Sequence, residues 1–176
     1  VDTELVAELD LLGGKENPST GTTLDASPIE HVLTRFNAQD VALKKGGVAV
    51  AIARSVGLNI SNELADDVYT LSSNGFRYAL PEQKLMVNGD AELLFIDSEW
   101  TDLAVNGTEF DLEILMTVGA HSLKITLPEV KMRRQPIQRN GFGPMYVAVD
   151  FKAYFQDNAD GVPIIVELIN DVASYA

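Results

Sequence analysis

Cysteine is absent from the 176 residues, which removes any disulfide framework and any thiolate metal site. The absence fits a reducing cytoplasm, although many exported chains also lack cysteine. Long apolar runs are missing too. Even the stretch from Val48 to Ala53 is stopped by Arg54, far short of the roughly 18 to 20 residues that cross a bilayer. The reading is a soluble chain with no membrane partner. Basic residues are scarce, at 13 against 26 acids, for a net charge of −13. Such a molecule repels nucleic-acid phosphates and acidic membrane surfaces, which argues against sequence-reading DNA binding.

Catalytic signals are equally thin. The two histidines, His31 and His121, stand far apart and outside any His-x-x-x-His pattern, so surface or boundary positions outweigh ligand roles. There is no Gly-x-Ser-x-Gly elbow and no phosphate-cradling Gly-x-x-x-x-Gly-Lys loop. Asp66-Asp67 reads as a solvated turn, and a carboxylate pair for glycoside hydrolysis would need folding to assemble it. The expectation is a protein that is not an enzyme and uses no cofactor. The chain starts at Val1 with neither an initiator Met nor a basic, apolar leader. It is therefore expected to be processed, trimmed, or the remainder of a longer protein.

What is present is alternation. At 46% hydrophobic, a chain of this length buries about 70% of its unfolded surface, enough for one core. Residues 3–12, TELVAELDLL, alternate loosely and predict a first strand. Residues 13–26 are nearly all polar and predict a loop or arm. Ser27, Pro28 and Glu30 then form a capping box, and Ile29, Val32, Leu33 and Phe36 line one face of a helix over 28–37. Packing of that helix on a sheet is preferred over partner binding.

From Val48 the period becomes two: Val48, Val50, Ile52, Val56, Leu58 and Ile60 share one strand face, with Gly57 a candidate bulge. Further half-buried strands are predicted at 85–95 and 110–116, with a short helix between them at 98–106 capped by Ser98 and closed by Gly107. Leu123, Ile125 and Leu127 predict a strand stopping at Pro128. The strand 145–155, the turn Asp160-Gly161 and the strand 162–168 predict a closing hairpin. The expected fold is mainly β, an antiparallel β-sandwich or open barrel with one or two short helices. In domain terms, residues 1–26 are a strand plus polar arm, and 27–176 a single β-sandwich with the flanking helix 28–37.

Three constellations deserve weighing. Gln156, Asn158, Asp160, Gly161 and Glu167 imitate EF-hand calcium spacing. The first position lacks Asp, Pro163 interrupts the loop, and the flanks alternate as strands, so a plain turn is the better reading. Lys131, Arg133, Arg134 and Arg139 crowd the connection between two strands. They form either a solvated loop or an electropositive patch for the acidic surface of an identical neighbour. Asp90, Glu92, Asp111, Glu113, Asp150 and Glu167 take the non-core faces of strands, opposed there by only Lys124 and Lys152. An acidic face of this kind could line a pore through which DNA slides without sticking; solubility alone explains any single one of them.

Several segments resemble phage tail tube (major tail) proteins. The residues are Leu123-Lys124-Ile125-Thr126-Leu127-Pro128-Glu129-Val130, Ile137, Gly141, Gly143, Phe151-Lys152-Ala153-Tyr154 and Asp160-Gly161. Upstream, VGLNISN at 56–62 and LPEQKLMVNGDAELLF at 80–95 resemble the family's core strands, with the helix 98–106 placed where such proteins carry one. The first 47 residues have no clear counterpart. The resemblance implies a β-sandwich that stacks as six-fold rings around a channel for DNA passage, similar in fold to the type VI secretion tube. It also implies residence in the virion tail after synthesis in the host cytoplasm. The implied partners are further copies of the chain and tape-measure, terminator and baseplate proteins, with no cofactor or catalytic residue. Other readings are a related ring protein (tail terminator, neck or baseplate ring, type VI tube) or a monomeric carbohydrate-binding or adhesion β-sandwich. The last predicts exposed aromatics, whereas Trp100 is the only Trp and reads as core.

Overall fold

Alternating side chains can bury one face of a strand only if a second layer covers it, and this chain meets that need by bending one sheet over itself. The computed structural model describes residues 6–11, 35–65, 67–71, 77–133, 143–155 and 161–171. Its strands are β1 (Val41–Lys45), β2 (Val48–Ala49), β3 (Ala53–Ser61), β4 (Met86–Leu94), β5 (Phe110–Val118), β6 (His121–Arg133), β7 (Tyr146–Ala153) and β8 (Ile165–Ile169), with helix α1 (Glu99–Asn106) between β4 and β5. The order is β2-β1-β5-β6-β7-β4-β3, and β8 adds to β6. Every ladder is antiparallel, and the sheet does not close. The mainly β, open antiparallel expectation holds.

Inward positions from both ends of the order meet in one core. Leu43, Ile114 and Met116 from β1 and β5 join Val87, Leu93, Val149 and Phe151 from β4 and β7. Leu127 and Val130 of β6 are fully buried at their centre. No described residue buries a polar or charged side chain in this core. Helix α1 closes one end through Trp100, which meets Phe110 edge-to-face at 6.0 Å and 82°. Gly107, at φ +62°, ends the helix in the left-handed conformation that glycine adopts without a Cβ penalty.

Several expectations need correction. The run 48–60 is not one strand: a turn at Ala51 and Ile52 separates β2 from β3. The bulge falls between Ala53 and Ser55, and Gly57 sits in regular register opposite Asp90. Strand β6 does not stop at Pro128. Its pairing with β8 ends at Thr126 and that with β7 begins at Val130, while the β5 ladder shifts between Phe110 and Leu112. Pro128 thus occupies an irregular step where its missing N–H costs no ladder bond.

The closing hairpin does not form. β7 pairs β4 and β6, and β8 crosses to residues 122–126 of β6; Gly161 has a left-handed φ of +54°. Ser98 does not cap by its side chain. Its hydroxyl donates to Asp102 at 2.8 Å, while Asp97 accepts from the Glu99 N–H. Residues 6–11, within the first predicted strand, carry no regular structure. Most of the predicted helix 28–37 lies outside the described residues, as do residues 13–26, His31 and residues 156–160 of the calcium-like loop. The predicted helix's final residue, Asn37, is extended.

Gly89 shows how tightly side chains pack between β4 and its neighbours β7 and β3. A Cβ there would overlap the Phe151 ring and sit 2.5 Å from the Gly57 carbonyl oxygen. Gly89→Ala is therefore expected to cost about 1–3 kcal/mol through overpacking, read as a lower urea midpoint at unchanged m-value. Combined with Phe151→Leu, the two losses should sum to less than their separate effects, because the ring is the main obstacle.

Candidate functional surface

The outward face of β3, β4, β7 and the end of β6 carries polar rows set by register. One row reads Gly57, Asp90, Asp150, Arg133; the next reads Asn59, Asn88, Lys152, Lys131. Asp90 and Asp150 are thus direct cross-strand neighbours, a like-charge placement that opposes pairing. The Asp90 carboxylate leans over Gly57, where a Cβ would lie 2.7 Å from its Oδ1. The missing side chain makes room for the acid. Between the rows lies an open trough of about 790 Å³, lined by these residues and Tyr154.

The six acids singled out by alternation all occupy outward positions, but in two groups. Asp90, Glu92 and Asp150 share the β4–β7 face. Asp111 and Glu113 lie on β5, and Glu167 on the outlying β8. Ion pairs from other strands reach Glu92, Glu113 and Glu167. Arg54 reaches Glu92 at 3.1 Å, Lys44 reaches Glu113 at 2.7 Å, and Lys124 pairs with Glu167. Arg54 also stacks 4.9 Å from the centre of the Tyr146 ring. These partners come from neighbouring strands distant in sequence, so only register exposes them.

The basic cluster also looks different in three dimensions. Lys131 and Arg133 belong to β6 rather than to a connection, and Arg134 and Arg139 lie outside the described residues. Lys131 pairs with Glu109, whose hydrogen bond, followed by its charge, holds the lysine above the ordinary ammonium range despite slight desolvation. Lys131 and Lys152 approach the Tyr154 ring at 5.5 and 6.0 Å. His121 opens β6 beside Asp171 at 3.5 Å. No described helix is long and apolar enough to cross a membrane.

The fold has a solved counterpart. A chain of the virion of a native gene transfer agent particle superposes at a TM-score of 0.55, with 12% identity, over 76% of this chain and 98% of that one. A type six secretion system protein gives 0.45, with 15% identity, over 69% of this chain and 87% of that one. No curated protein sequence matches the chain. The family model for phage tail tube proteins covers residues 1–161, strands β1 to β7 included, and the chain belongs to the phage tail tube protein family.

Proposed function

We propose that this protein is the building block of a tail tube, assembling as stacked rings whose channel passes DNA. The family match over residues 1–161 carries that reading. The open sheet supports it physically: β3 and β8 end their ladders without a further strand among the described residues, and unpaired edges are stable when neighbours cover them. Residence in the virion tail follows from the same role, as does contact with tape-measure, terminator and baseplate components.

The channel wall is assigned to the outward acids Asp90, Glu92, Asp111, Glu113, Asp150 and Glu167. Glu92, Glu113 and Glu167 already share their charge with Arg54, Lys44 and Lys124. Asp90 and Asp150 stand side by side on the β4–β7 face, with Arg133 next in the same row. The register that packs the core also turns both acids outward, the placement that suits a wall repelling phosphates. Such a wall denies DNA the neutralising contacts that create nonspecific affinity. Arg133, with Lys131, Arg134 and Arg139, is assigned to the acidic surface of an adjoining copy.

Concentrated protein viewed by negative-stain electron microscopy should show hollow rods of uniform bore. Isolated rings of one height would indicate a terminator-like component, and a strict monomer at all concentrations would remove the tube reading. Rods built from the variant D90K/D150K should co-sediment with double-stranded DNA at low salt and release it as salt rises, while unmodified rods leave DNA in the supernatant. Equal behaviour of the two would move these carboxylates off the channel wall.

A further inference from the structure

Residues 6–11 combine strand-forming alternation with full exposure. Ala7, Leu9 and Leu11 occupy one parity, with Glu8 and Asp10 on the other, and neither Gly nor Pro interrupts them. Yet the segment pairs with no described strand, and Val6, Leu9 and Leu11 are 83%, 78% and 83% exposed. An alternating apolar segment left in water is a strand without its sheet.

The sheet offers a matching vacancy along β3. This nine-residue strand ends the order and, among the described residues, pairs only with β4. Natural edges are usually blunted by Lys, Pro or short length. β3 has neither residue, only a bulge and Arg54 at one end. Its inward side presents Val56, Leu58 and Ile60, the last 50% exposed. Its outward side presents Ser55, Gly57, Asn59 and Ser61, none of them charged. The other free edges fit less well: β2 has two residues, and β8 has five with Glu167 at its centre, which would face Glu8 or Asp10 with like charge.

We propose that the N-terminal segment of one copy adds as a strand to the β3 edge of a neighbouring copy. Leu9 and Leu11 continue the apolar side begun by Leu58 and Ile60, while Glu8 and Asp10 lie beside the uncharged outer residues and extend the acidic face. Main-chain hydrogen bonds supply the affinity and the apolar parity supplies the register. Among the described residues of one chain neither the segment nor the free side of β3 is paired, and the contact is assigned to two copies. This inference rests on the tube reading.

The absence of native cysteine makes the contact readable by disulfide trapping. Full-length L9C is co-assembled with either L58C or I60C, oxidised, and run on a non-reducing gel. Covalent dimers at least ten times more abundant in a mixture than in any single variant are expected. Rods without such dimers overturn the inference while leaving the tube reading intact. Dimers between I60C and L168C also overturn it, because they place β8 of a neighbour on that edge. E8P, altering a segment unpaired in the single chain, should keep the monomer's unfolding midpoint and reduce rod yield at least tenfold. Normal rods from E8P overturn the inference, and an unmodified protein that never forms rods overturns both readings.

Discussion

Strand β6 has to serve two halves of the sheet along one line of thirteen residues, and the rest of the structure depends on how it changes partner. On one side it keeps β5. On the other it holds β8 over 122–126 and β7 over 130–133. The handover falls on Pro128 and Glu129, bracketed by Leu127 and Val130, the two fully buried residues of the strand. Proline cannot donate to a ladder, so placing it where no partner is due costs nothing. The irregular step adds local twist, and the twist turns the β7–β4–β3 portion over the β1–β5 portion. Burial of Leu127 and Val130 fixes the bend, because relaxing it would expose both at about 2 kcal/mol each.

From that bend the chemistry of the outer face follows by parity. Once Val130 and Met132 point inward, Lys131 and Arg133 must point outward, opposite Lys152 and Asp150. Asp90 then lies beside Asp150. A slip of one residue would drive these charges into an apolar core that contains no polar side chain among the described residues. The two glycines of the β3–β4 pair serve opposite faces. Gly89 admits the Phe151 ring on the inside, and Gly57 admits the Asp90 carboxylate on the outside. Packing and surface charge are therefore set by one register.

That dependence explains what the sequence did and did not make legible. Strands β4 and β5 and helix α1 were readable because alternation, an αL glycine and an inward Trp100 are local signals. The β7–β8 hairpin failed because Asp160-Gly161 describes a turn and says nothing of where the next strand docks; β6 offered β8 a better apolar neighbour in Leu123 and Ile125. Pro128 was misread for the same reason, since its cost depends on a partner strand unknown from sequence. The outward acids were legible by parity. Of their cations Lys124 was legible too, but Arg54 and Lys44 were not, as the Lys44–Glu113 contact spans 69 residues.

Net charge constrains how such a subunit can associate. Copies carrying −13 repel one another at long range, so attraction between whole molecules cannot drive assembly. Salt confines that repulsion to about 8 Å under physiological conditions, while strands in a ladder lie about 4.8 Å apart. Attraction must therefore come from contacts made within the screening length: main-chain hydrogen bonds at sheet edges and apolar side chains such as Ile60 and Leu168, half exposed in the single chain. Acids on the outer face can then remain numerous without preventing association, provided the edges lie away from the most anionic rows. The outward side of β3 adds no acid of its own at Ser55, Gly57, Asn59 and Ser61, although Asp90 lies on the next strand.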